Sequence, residues 1–451
     1  MVLFKTLSFL VFFSLILFTH QTVMEAKVHV LYSWIFPDFQ YPSENAKSAA
    51  IEQGDFIAEN AVILDSDYYF SSVTSTKRIF VTTPRFRNGI PATLSEITRN
   101  TNVNSSYLLS PFPSIELQRI STCDGPISVY RIHIDKCGLL WVLDTGRIET
   151  FTNPRRACPP KLLIYDLNRN DELIVRYEFP EGSINDRSNL ATLVTESYQQ
   201  DCRDSVAYIA DVNAFGLVMY SMAEGTSWRV ESNFFYPFPH KGTVVINRVT
   251  FDLMDGIFGL ALSPPADNPR KLFFHSFASV RESWVPTSVL RNRTLIQNTN
   301  ALRIEFRISE DVREGQSSLE VMTDDGILIY SLMPQTAIAC WNSAHPFKKE
   351  YQHILYQDIE NLQFISGMKL KGNILLITSS RLQNYIAGNL NTSDTKYRII
   401  VIDDVDQLLK GTPCKNGPVL GKSPFKPPSP SLTESIILSN QNNKASASSH
   451  Y

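Results

Sequence analysis

Residues 123–167 read CDGPISVYRIHIDKCGLLWVLDTGRIETFTNPRRACPPKLLIYDL and hold three β-type runs separated by turn and loop chemistry. The first, 127–135, sets Val129, Ile132 and Ile134 against Tyr130, Arg131 and His133, the alternation of a half-exposed strand. Asp135-Lys136-Cys137-Gly138 then turns the chain. The second run, 139–144, is almost continuously apolar, which fits a strand buried on both faces. Beyond a Pro-rich loop, 161–167 supplies a third strand and 173–179 a fourth, so roughly 55 residues spell out a four-stranded antiparallel meander.

The pattern recurs. First-strand candidates fall at 57–65, 127–135, 190–197, 256–264, 318–325 and 363–371, and second strands at 78–84, 139–144, 206–211, 272–277, 327–332 and 374–378. Third strands are visible at 161–167, 217–222, 337–342 and 398–403. The repeat starts lie roughly 45 to 70 residues apart, somewhat long for a propeller blade and consistent with long loops between strands. No stretch before the C-terminal tail holds a helical period beyond about two turns, 405–409 being the best, so a parallel α/β sheet is disfavoured. The expected fold is all-β, a six-bladed β-propeller of four-stranded antiparallel blades spanning 27–417. The sixth unit lacks a fourth strand, and the β-type run 28–34 would complete it, closing the ring and removing an exposed edge.

The ends read differently. Residues 1–26 carry Lys5, an apolar run over 7–18 and a small residue at Ala26, the pattern of a secretory signal peptide. That run is too short to span a bilayer and nothing later reaches the required length. The expected location is extracellular, where the sequons at Asn104, Asn292 and Asn391 are candidate glycosylation sites. Residues 418–451 are rich in Pro, Ser, Asn and Lys and read as a disordered low-complexity tail. With 43% hydrophobic residues, 19% charged residues and a net charge of −3, the chain has no electrostatic bias towards nucleic acid or membrane, and neither is an expected partner.

Several stretches together resemble the yellow and major royal jelly proteins of insects. They are SVYRIHIDKCGLLWVLDTG (128–146), CPPKLLIYDL (158–167), DCRDSVAYIAD (201–211), GIFGLALSP (256–264), ACWN (339–342) and SRLQNYIAGNLNTSDTKYRI (380–399). The resemblance runs from about Trp34 to Cys414, and its N-terminal part is most similar to the eggshell-associated yellow proteins. It implies a six-bladed propeller, in agreement with the strand count. Salivary members of that family bind biogenic amines in the central tunnel. Carried over residue by residue, the resemblance implies a ligand site at Ser366, Ser379 and Arg381. Arg381 sets a fixed positive charge where a cationic amine would lie, which favours an aromatic or anionic small molecule instead. Paired with a neighbouring acid, Arg381 would have a purely structural role.

Six cysteines in an extracellular chain read as disulfides. Cys137 and Cys202 occupy equivalent turns of successive blades. Cys123 and Cys158 share the opposite rim, and Cys340 and Cys414 belong to the last two blades. The expected bridges are therefore Cys123 to Cys158, Cys137 to Cys202 and Cys340 to Cys414. No close Cys/His pair suggests a metal, and no cofactor is expected. H-E-x-x-H, G-x-S-x-G, P-loop, dinucleotide and EF-hand signatures are absent. His133 and His275 lie on predicted strands; His240, His345 and His353 lie in or near loops. The doublets Asp324-Asp325-Gly326 and Asp403-Asp404 read as turns, and Arg155-Arg156 as a solvated pair.

Three functions fit. The first is a secreted protein of eggshell or cuticle, with 18 tyrosines as cross-linking or contact sites and matrix proteins as partners. The second is a carrier of a small molecule. The third, implied by family members that accelerate dopachrome conversion in melanin formation, is an isomerase-type enzyme needing a general base, and the sequence identifies no such base. The first, with binding as part of it, is favoured over catalysis.

Overall fold

The computed structural model describes residues 26–71, 77–100, 107–389 and 393–417. The leader (except Ala26), the sequons Asn104 and Asn391, and the tail 418–451 lie outside the described residues.

Six four-stranded antiparallel sheets form the blades of a propeller. Their innermost strands are Asp65–Phe70, Val129–Ile134, Leu190–Glu196, Ile257–Leu262, Glu320–Met322 and Ile365–Lys371, defining blades 1 to 6 in chain order. Each innermost strand packs against its neighbours on both sides, and blade 6 returns to blade 1. The fourth strand of blade 6 is the N-terminal Val28–Trp34, antiparallel to Tyr397–Ile402 with Val28 opposite Ile402 and Trp34 opposite Tyr397. In the second strands Leu139–Asp144, Val206–Asp211 and Ile327–Leu332 every residue is buried, as largely apolar runs between sheets require.

Disulfides join Cys123 to Cys158, Cys137 to Cys202 and Cys340 to Cys414, and no cysteine is free among the described residues. The second bridge ties blade 2 to blade 3 and the third ties blade 5 to the chain after blade 6. No helix among the described residues is long and apolar enough to cross a membrane.

Three local expectations change. Residues 57–65 do not form a strand: Ala58–Asn60 is a 3-10 turn, and Ala61, Val62, Ile63 and Leu64 are buried in extended chain leading to a strand that starts at Asp65. The run is apolar because it fills core space rather than because it joins a ladder. The alternation in Val129–Ile134 does not mark a solvated face, since Tyr130 and Arg131 are also buried. An innermost strand turns its polar face to the ring's axis instead. Asp404 caps the helix Val405–Leu409 through Gln407 N–H (2.9 Å) rather than forming a turn, whereas Gly326 after Asp324-Asp325 takes φ +81° as a tight turn requires.

Candidate functional site

The axis of the ring is spanned by one side chain. Arg131 reaches from blade 2 to the carbonyl of Ser366 in blade 6, donating from Nη2 (3.0 Å) and Nε (3.2 Å), and to the carbonyl of Ala191 in blade 3 from Nη1 (3.3 Å). Its guanidinium also lies 4.7 Å from the ring centroid of Phe258 in blade 4. Burial pulls its pKa down to about 10, against the opposing pull of Asp65 and Asp255, so it stays charged at physiological pH.

Blades 1, 2 and 6 are clamped beside it by a two-residue period. Asp65 and Asp67 point the same way from one strand because side chains two apart share a face. Asp65 Oδ2 accepts from Ile132 N–H (3.0 Å) and from Lys369 Nζ (2.8 Å). One pleat further, Asp67 accepts from Ile134 N–H (2.7 Å) and pairs with Lys371 Nζ (2.6 Å). Burial raises the Asp65 carboxyl, with Lys369 and Arg131 pulling it back, and lowers the Lys371 ammonium, with Asp67 opposing. Lys371 also donates to Tyr68 O (2.6 Å) and sits over the Tyr68 ring.

Past this clamp, where the innermost strands end, the axis widens into a cavity of about 650 Å³. Tyr68, Tyr69, Phe70 and Tyr198 supply an aromatic wall, and Asp135, Lys136, Arg270 and Lys371 also line the cavity. Phe70 and Tyr198 are more than half exposed, as on an open recess. His133 also lines the cavity; burial depresses its pKa to about 4, with Asp67 opposing and Lys369 and Lys371 reinforcing, so the imidazole is neutral at physiological pH. Arg270 is backed by the buried Glu196 at 3.5 Å.

The other end of the axis is packed with rings. Phe86 contacts Tyr130 (5.2 Å between centroids) and Phe151 (5.0 Å), and the hairpin Thr243–Ile246/Val249–Asp252 lays Phe251 against Phe364 (5.9 Å).

Ser366, Ser379 and Arg381 lie towards that packed end, and none of them lines the cavity. Both serines are wholly buried; Ser366 Oγ donates to Thr378 O (3.4 Å) and Ser379 Oγ to Gln363 O (2.7 Å). Arg381, in left-handed backbone (φ 44°) ahead of the helix Leu382–Ile386, pairs with Glu360 and lies 3.7 Å from Asp394. Arg398 shares the same Glu360 carboxylate (2.7 Å). Arg155 pairs with Glu149 (3.1 Å), and Asn292 is exposed, its Oδ1 accepting from Leu295 N–H (3.0 Å). Sequence reasoning missed the Asp65/Asp67 and Lys369/Lys371 clamp; K-x-K on the candidate inner strand 363–371 was a signal, whereas D-x-D ran past the end of the candidate strand 57–65.

The fold and this site define a disulfide-bonded six-bladed β-propeller, closed at one end of its axis by packed rings and carrying a charged, aromatic-walled recess at the other. The chain belongs to the major royal jelly protein family, which matches residues 127–414. It is similar to Protein yellow of Drosophila guanche, 33% identical over 396 residues that cover 86% of this chain and 67% of that protein. Protein yellow of Drosophila melanogaster is likewise 33% identical over 396 residues, covering 86% and 71%. Among solved structures, a streptogramin B lyase shares 9% identity over 84% of this chain and 98% of its own, with a TM-score of 0.42.

Proposed function

We propose that this is a secreted yellow-type propeller that acts in eggshell or cuticle formation and pigmentation, and that it binds an aromatic, anionic small molecule. The observation that carries the binding reading is the recess of about 650 Å³, in which Tyr68, Tyr69, Phe70 and Tyr198 stand beside Lys136, Arg270 and Lys371. Flat rings gain area and edge or face contacts from such a wall, and a carboxylate or phenolate gains charge-assisted hydrogen bonds from the cations. Three disulfides fit an oxidising compartment, and the family relationship favours secretion and a matrix or pigment role.

Titration calorimetry with indole-2-carboxylate and with serotonin tests the ligand class. The anion is expected to bind and the amine to bind at least about tenfold more weakly, the effect of one charge-assisted contact of roughly 1.4 kcal/mol. Tyr198→Ala and Arg270→Gln should each weaken the anion by a similar factor. Equal binding of the two ligands, or none of the anion, overturns the reading.

Dopachrome conversion is the second reading. The neutral His133 imidazole in the recess supports it, because such a group is free to accept a carbon-bound proton, although a pKa near 4 makes it a weak base. Dopachrome turnover that disappears in His133→Gln would favour catalysis over carriage.

A further inference from the structure

Four ionisable side chains are buried together between blades 4 and 5, away from the axial recess. His275 comes from the second strand of blade 4 (Lys271–Ser276), Glu282 from the residue before its third strand (Ser283–Pro286), Glu320 from the innermost strand of blade 5, and Arg313 from the chain joining the two blades. All four side chains are 0% exposed. His275 Nδ1 lies 3.0 Å from Glu320 Oε2 and 3.3 Å from Glu282 Oε2, and Arg313 Nη1 pairs with Glu282 Oε2. Gly259, opposite His275 in the ladder, makes room for the imidazole: a Cβ there would come within 2.3 Å of its Cε1.

These contacts leave the cluster incomplete. Glu282 Oε1, Glu320 Oε1, His275 Nε2 and Arg313 Nε are buried without a hydrogen-bond partner. Leaving such groups buried and unpaired is costly, and two carboxylates with spare oxygens beside one imidazole are what a cation would satisfy.

We propose that His275, Glu282 and Glu320 form a divalent metal site, for Zn²⁺ or Mn²⁺, that ties blade 4 to blade 5. One donor atom from each residue lies within 4.8 Å of the other two. Two donors bonded to one metal at about 2.1 Å, with an angle of roughly 90–110° between them, sit roughly 3.0–3.4 Å apart. The observed 3.0 and 3.3 Å fit that edge length. One imidazole nitrogen with two carboxylates is a donor set for borderline to hard cations, and the orphan Oε1 atoms allow either carboxylate to chelate. Arg313 then serves as the outer partner that holds Glu282 in place, the usual companion of a ligating carboxylate. The site is sealed from solvent, so the ion would be enclosed during folding and its role structural. A proton on His275 is the competing way to balance two carboxylates against Arg313.

The test uses full-length protein secreted from insect cells and purified without chelator. Elemental analysis is expected to find close to one equivalent of zinc or manganese per chain. Removing the ion with dipicolinate in mild denaturant should lower the melting temperature, and adding Co²⁺ should restore it with the visible bands of a nitrogen- and oxygen-ligated ion. Glu320→Gln, which keeps shape and removes charge, should lose the cobalt bands and weaken Co²⁺ by more than the ~10–100-fold typical of an outer-shell change. Glu282→Gln is the second variant if that one is not secreted. Native protein without metal, whose melting temperature ignores added Zn²⁺ and Co²⁺, overturns the proposal. Cobalt bands that survive in both variants also overturn it, and so does a metal-free wild type whose stability falls on raising the pH while that of Glu320→Gln does not, the signature of a proton.

Discussion

His133 and Arg131 stand two residues apart on the innermost strand of blade 2, and both take their properties from what the ring sets opposite them. In the sequence they read as the solvated positions of an amphipathic strand. In the folded chain Arg131 spans the axis and His133 walls the recess, because the polar face of an inner strand looks at five other strands rather than at water. The alternation was legible but its direction was not, since nothing within nine residues says which side the ring will close on. The depressed His133 pKa has a consequence for stability. The folded state binds this proton only near pH 4, whereas the unfolded chain binds it near 6.5, so the folded form holds fewer protons between those values. Its contribution is therefore intact above about pH 6.5 and is lost as the pH falls towards 4. Asp67, Lys369 and Lys371 are the charges that face it. Urea unfolding at pH 7.5 and pH 5 should show a loss of stability on acidification that is smaller in His133→Gln than in the wild type. An equal loss in both proteins would mean that the imidazole is hydrated and titrates normally.

Among the elements, the innermost strand of blade 1 does more than its length suggests. Asp65 and Asp67 each bind a backbone N–H of blade 2 and an ammonium of blade 6, so six residues hold two seams at once. The second and third strands of most blades could be placed from sequence because they are short apolar runs bounded by turns, and the rim positions of the cysteines matched the bridges that formed. The start of blade 1 could not, since the buried run at 61–64 is as apolar as a strand. The helix Glu44–Glu52, capped by Ser43, also went unread, because it has no buried residue and hence no apolar stripe to betray it. The clamp makes an additive prediction fail. Asp65→Asn alone should cost about 3 kcal/mol, leaving Lys369 buried with half a partner, and Lys369→Met alone a similar amount. The double variant should cost clearly less than the sum, with about 1–3 kcal/mol of coupling in chemical denaturation. Simple additivity would place the stabilisation in the Ile132 N–H bond rather than in the ion pair.

At the scale of the molecule, closure depends on a segment that is far from its partners in sequence. Val28–Trp34 completes blade 6, and the chain just after it crosses to blade 1, where Phe39 bridges Leu109 and Gln40 N–H donates to Leu109 O (2.9 Å). Trp34, 7% exposed, is the hinge between the two attachments: its indole N–H donates to Tyr107 O in blade 1 (3.1 Å) and its ring lies beside that of Tyr32, which meets Tyr107 edge-on at 4.6 Å. In a propeller closed this way Val28–Trp34 is the outer strand of blade 6 and covers Tyr397–Ile402, whereas without it Tyr397–Ile402 would present a row of unpaired backbone groups, a template for a second chain. Deleting residues 28–34 is therefore expected to do two things together: to lower the melting temperature and to produce dimers or larger species in light scattering after gel filtration. Trp34→Ala keeps the strand but loses the hinge, and should cost about 3–5 kcal/mol without self-association. The contrast between the two variants separates edge protection from packing. If the deletion leaves a monomer that melts with the wild type, the seam is held by the Asp65/Lys369 and Asp67/Lys371 pairs, and the N-terminal strand is an ornament of blade 6 rather than its closure.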